Sequence, residues 1–118
     1  MPSQGMNKVI LIGHVDGAPR FRSHSEGRHR LWMRLRTSEM RPDENGEMRE
    51  RRGWHTVIVW GARAKGLNEF LRVGHRIALE GRLVTRKLGL AEAPRWETEI
   101  HARELIVLDG PRAEERAA

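Results

Sequence analysis

The chain has 118 residues, a formal net charge of +6 and a sequence pI of about 11.1, which allows one domain with a modest core, near the size where association aids stability. It has no cysteine, excluding disulfides, thiolate metal sites and cysteine nucleophiles, and its six histidines fall at no HExxH-like spacing, so neither a metal nor a cofactor is expected. No apolar run approaches membrane-spanning length and Met1-Pro2-Ser3-Gln4-Gly5 has no signal-like character, so the expectation is a cytoplasmic protein without a membrane partner.

Lys8, Lys65 and Lys87 are the only lysines, so nearly all the positive charge is arginine, whose flat guanidinium can hold a phosphate bidentately or stack on a base. This favours nucleic acid over an anionic membrane surface as the polyanionic partner. An arginine-rich, merely solvated surface is the plain alternative.

In chain order, Asn7–Gly13 (NKVILIG) predicts a short strand closed by glycine, and Asp16-Gly17 with Pro19 marks a turn. Phe21 and Arg22 begin a second strand, interrupted by the polar stretch 23–27. From Arg28 to Thr37 strict alternation turns Leu31, Met33 and Leu35 inward and Arg30, Trp32, Arg34 and Arg36 outward. One surface therefore interleaves an aromatic ring with guanidiniums, the composition of a groove that stacks bases and tracks phosphates.

Ser38–Gly53 contains Pro42, Asn45-Gly46 and dense charge and reads as a mobile hairpin loop. It is followed by Trp54-His55-Thr56-Val57-Ile58-Val59-Trp60, a β-branched and aromatic strand ending at Gly61. Alternation puts Trp54, Thr56, Ile58 and Trp60 on one face and His55, Val57 and Val59 on the other. At about 3.3 Å per residue the two tryptophans stand roughly 20 Å apart, spaced to take different bases of an unpaired strand. Both could instead fill a core, but Val57 and Val59 already offer the opposite face for that.

Leu67, Phe70 and Leu71 then fall three and four apart and Gly74 follows, which predicts one helix over 62–73. Arg76–Leu88 alternates as a long strand in which Gly81 permits a sharp bend, Leu88–Pro94 makes a loop, and Arg95–Leu108 supplies the last pairing strand or strands, with Trp96 near its start. Residues 1–110 form the domain and 111–118 a short, charged, frayed tail. The order strand, strand, strand, helix, strand, strand is that of an all-β protein with one short helix, the five-stranded Greek-key OB-fold barrel, which commonly binds oligonucleotides on its strand 2–3 face.

Asn7-Lys8-Val9-Ile10-Leu11-Ile12-Gly13, Thr37-Ser38-Glu39, Gly46-Glu47-Met48, Trp54-His55, Gly61, Glu69-Phe70-Leu71-Arg72, Gly74, Glu80-Gly81-Arg82-Leu83 and Thr85-Arg86-Lys87 together resemble the bacterial single-stranded DNA-binding protein (SSB) family from about Met6 to Leu108. The resemblance implies a homotetramer, with a dimer as the alternative, that wraps unpaired DNA without sequence preference during replication, recombination or repair in the bacterial cytoplasm, at the nucleoid. It implies that Trp54 is a stacking tryptophan, that Trp60 replaces a stacking phenylalanine, that Arg72 and Arg86 contact DNA and that His55 lies at a subunit contact.

The sequence departs from the pattern at two stacking positions, where Met40-Arg41 and Leu88 replace tryptophans, and Trp32 and Trp96 are the candidate replacements. The expected single-stranded-DNA site is thus Trp54, Trp60, Trp32, Arg34, Arg36, Thr56, Arg72, Arg86, Lys87 and Trp96. The family continues into a Gly/Pro/Gln-rich linker and an acidic tip, whereas this chain ends at Ala118; if it is complete, replication or repair proteins are reached by some route other than such a tail. A tail-less primosomal adaptor that docks replication proteins is the alternative reading. An enzyme is not expected, since no carboxylate cluster has metal-binding spacing and Asp16, Asp43 and Asp109 lie in turns or near a terminus.

Overall fold

The computed structural model describes residues 4–24 and 28–110; the tail 111–118 lies outside them. Six strands and one helix follow one another as β1 (Val9–Val15), β2 (Arg20–His24), β3 (Arg28–Pro42), β4 (Met48–Trp60), α1 (Ala62–Phe70), β5 (Arg76–Leu88) and β6 (Arg95–Asp109). The sheet order β1-β5-β6-β4-β3 is closed by β1 pairing with β3 at His14↔Arg36 and Val15↔Leu35, which makes a five-stranded barrel. β4 and β6 run parallel at Val57↔Ile100 and Ile58↔His101, and β2 is an added strand hydrogen-bonded to β3. This is the expected OB-fold.

The apolar alternation decides what lies inside. Leu31, Met33 and Leu35 of β3, Val57 and Val59 of β4, Ile77 and Leu79 of β5 and Ile100 of β6 meet in one buried cluster. Ala64 and Leu71 close one end of it, with Leu67 packed alongside. The helix stops at Phe70, three residues short of the expected end, because Leu71 turns extended (φ −68°, ψ 139°) to bury its side chain. Phe70, expected on the apolar face, is instead exposed and lies against the His75 ring at 5.2 Å. Gly74 has the expected positive φ, 92°, but serves the turn into β5 rather than the helix end.

Two glycines let the barrel close. A Cβ on Gly13 would collide with the Arg36 carbonyl oxygen at the β1–β3 seam, and one on Gly81 with the His101 carbonyl oxygen. The β5–β6 register shifts between Glu80 and Gly81, so the anticipated bend appears as a bulge with very close backbone approach. Beyond it β5 and β6 continue as a hairpin away from the core, which leaves Leu83 exposed.

The stretch 38–53 is not a loop. β3 and β4 stay paired out to Pro42↔Met48, and the true turn is Asp43–Glu47. Asp43 organises it: Oδ1 accepts the backbone N–H groups of Asn45 and Glu47 at 2.9 Å and Oδ2 accepts from Arg49 Nε at 3.0 Å. With polar side chains on both faces the arm carries no apolar periodicity, and its strand character comes from cross-strand pairing. Asn7 likewise lies outside β1, because its side chain both donates to and accepts from the Leu83 backbone.

Candidate nucleic-acid interface

The outer face of β3 and β4 is set by register. Cross-strand neighbours Arg30↔Trp60, Trp32↔Ile58, Arg34↔Thr56 and Arg36↔Trp54 all point away from the core, because Leu31, Met33, Leu35, Val57 and Val59 point in. The structure thereby brings together Trp32, Arg34, Arg36, Trp54, Thr56 and Trp60. Trp54 and Trp60 remain 47% and 42% exposed at opposite ends of the row, with ring surface left for a base. Ile58 stands between them fully buried although it faces outward, flanked by Trp32 on β3 and His101 on β6. It forms an apolar floor.

Each tryptophan lies under a cation. Arg34 sits 5.9 Å from the Trp54 ring centroid, Arg30 5.6 Å from Trp60, Arg20 5.3 Å from Trp32 and Lys87 5.9 Å from Trp96. Such contacts contribute about 0.5–1 kcal/mol at exposed sites. They place a cation against the face of each indole.

Two indoles are also fixed through their N–H groups. Trp54 Nε1 donates to Asp16 Oδ2 at 2.9 Å, and Asp16 faces Arg36 at 3.8 Å. Trp60 Nε1 donates to His101 Nδ1 at 3.3 Å, so that nitrogen is an acceptor and the ring proton sits on Nε2, which donates to Glu99 Oε1 at 3.1 Å. Glu99, only 3% exposed, also takes Arg86 at 3.0 Å and faces Arg30 at 3.9 Å. Arg30 returns to the face of Trp60, closing a circuit that fixes ring and charge together. Asp16, His101 and Glu99 carry no local sequence signal that marks them as site residues.

No group of three or more His, Cys, Asp or Glu that could hold a metal occurs among the described residues. The surface is an open aromatic and cationic groove, suited to stacking and charge neutralisation of a flexible polyanion. The family model for the single-strand binding protein family matches residues 6–108. The chain belongs to that family.

Among its relatives, "Single-stranded DNA-binding protein 1" of Chlorobaculum tepidum is 38% identical over 84 residues, 71% of this chain and 52% of that protein, so the chain spans about half the length of this curated relative. Among solved structures, the Plasmodium falciparum SSB complex with ssDNA superposes with a TM-score of 0.82 at 31% identity, covering 92% of this chain and all of that one. The wild-type single-stranded DNA binding protein from Thermus aquaticus gives 0.78 at 30% identity, covering 92% of this chain and 52% of its own.

The other expected site residues of this SSB-family chain lie off the central row. Arg86 joins the outer face through Glu99, whereas Lys87, one residue on, faces the other side of the β5–β6 hairpin with its cross-strand partner Trp96, which is 66% exposed. Arg72 stands on the α1–β5 connection, its guanidinium donating to the Leu71 carbonyl at 2.9 Å. His55 is on the inward side of β4, half-buried, with Nε2 3.0 Å from Thr37 Oγ1.

Proposed function

We propose that the protein binds single-stranded DNA without sequence preference, coating it during replication, recombination or repair in the bacterial cytoplasm, at the nucleoid. Trp54, Trp60 and Trp32 stack bases, with Thr56 lining the path between them, while Arg34, Arg36 and Arg86 neutralise phosphates. Trp96 and Lys87 extend the contact along the β5–β6 hairpin, and Arg72 meets the strand where it passes the α1–β5 connection. Residues 1–110 carry this activity and 111–118 are an appendage. The observation that carries the reading is the single outer face on which partly exposed indoles alternate with guanidiniums.

The protein acts as a homotetramer. Supporting this, Ile10 and Ile12 of β1 and Ile106 of β6 are 67%, 53% and 60% exposed on a shared outer face away from the tryptophan row, a large apolar patch for so small a domain. His55 lies at a subunit contact.

Titration with oligo(dT) tests the activity. Tryptophan emission is expected to be quenched strongly by the single strand and little by a duplex of equal length, with a midpoint that weakens as salt rises because counterions are released. Absence of quenching at low salt would overturn the reading.

A further inference from the structure

Beside the central row, the β2–β3 hairpin carries an open recess of about 220 Å³ lined by Arg20, Arg22, Arg30 and Trp32. Register explains the cluster: Arg20 pairs with Trp32 and Arg22 with Arg30, so all four side chains share one face. Arg22 directly opposite Arg30 is a like-charge pair, which is unfavourable unless an anion lies between. Among the described residues neither Arg20 nor Arg22 is ion-paired, whereas Arg36 faces Asp16, and Arg30 and Arg86 share Glu99. Arg30 Nε has no hydrogen-bond partner among those residues either. Among the described residues, positive charge without an ion pair thus lies on β2, at Arg20 and Arg22, as well as at Arg34 in the central row, and β2 is hydrogen-bonded to β3.

We propose that this recess is a nucleotide subsite: one base of the unpaired strand enters between the Trp32 indole and the Arg20 guanidinium, and its flanking phosphate sits between Arg22 and Arg30. The volume is below the roughly 300–1,000 Å³ of small-molecule pockets and suits a single stacked base. Arg20 is exposed and free to lift from its 5.3 Å position over the ring and close on the far side of the base. Trp32 stands diagonally from Trp60, about 7–8 Å away between backbone positions, so a strand stacked on Trp60 continues into the recess. The subsite rests on the single-stranded-DNA reading and adds to it where the strand leaves the barrel.

Single-tryptophan reporters separate the two ideas. In Trp54→Phe/Trp60→Phe/Trp96→Phe only Trp32 emits; in Trp32→Phe/Trp60→Phe/Trp96→Phe only Trp54 does, and the phenylalanines retain aromatic rings. Titrated with oligo(dT), both reporters are expected to be quenched. Quenching of Trp54 without Trp32 would overturn the subsite and the stacking role of Trp32, and leave single-stranded-DNA binding on Trp54 standing; quenching of neither would overturn both. As an independent check, Arg22→Gln in the otherwise intact protein should reduce the slope of log K against log salt by about 0.7, one phosphate's worth for a single strand. An unchanged slope would remove the phosphate seat from the proposal.

Discussion

Replacing Glu99 by glutamine is expected to destabilise the protein without weakening its hold on single-stranded DNA. The Glu99 carboxylate has only 4% of its side chain exposed and is shared by His101 at 3.1 Å, Arg86 at 3.0 Å and Arg30 at 3.9 Å. Removing one partner of a buried pair costs about 3–5 kcal/mol. Here Arg86 and Arg30 keep 40% and 23% of their side chains in water and can rehydrate, and the amide retains one acceptor for His101, so about 2 kcal/mol is expected. With a urea m-value of about 1–3 kcal/mol per molar, the midpoint should fall by about 1 M at fixed protein concentration. The charge removed is negative and lies within the cationic face, so oligo(dT) affinity at low salt should hold or rise. An unchanged midpoint, or an affinity loss above about tenfold, would refute the assignment of Glu99 as the internal counter-ion of the interface.

Gly81→Ala must push the His101 carbonyl aside and meets the Ala102 Cα at 3.1 Å; a loss of about 2–3 kcal/mol in urea unfolding is expected, and a neutral result would contradict the close-approach account. Asp16→Asn keeps an acceptor for Trp54 Nε1 but removes the charge facing Arg36, so oligo(dT) binding should tighten about two- to fivefold at low salt and return to the parent value at high salt. The Arg49 guanidinium, with the backbone N–H groups of Glu47 and Asn45, holds the half-buried Asp43 carboxyl below its ordinary value. Its support for the arm turn is therefore full above the unfolded carboxylate pKa and lost as pH falls through the lowered folded one. An NMR titration of Asp43 at or above the ordinary value would contradict this.

Much of the interface was legible because period-2 alternation assigns a face without any knowledge of partners. Leu31, Met33 and Leu35 against Arg30, Trp32, Arg34 and Arg36 could be sorted from β3 alone, as could Trp54 and Trp60 from Val57 and Val59 on β4. What could not be read was set by strands meeting far apart in sequence. The parallel β4–β6 contact puts His101 beneath Trp60, and the turn after β1 puts Asp16 beside Trp54; neither pairing leaves a local signal. The β3–β4 arm reads as a loop in sequence because its charged side chains fall on both faces, although its backbone pairs without interruption to Pro42↔Met48. The apolar spacing runs past the helix end because Leu71 satisfies it yet buries from an extended conformation.

The central claim is that Trp54 and Trp60 bind bases by stacking while the arginines supply the salt-dependent attraction. It is tested most directly by measuring oligo(dT) affinity of the Trp54→Ala/Trp60→Ala protein across a salt series. At about 1–3 kcal/mol per stacked base, the double variant should bind at least about 30-fold more weakly at every salt concentration, with an unchanged slope of log K against log salt. Parent-like affinity, or a loss confined to the slope, would contradict base stacking on this face.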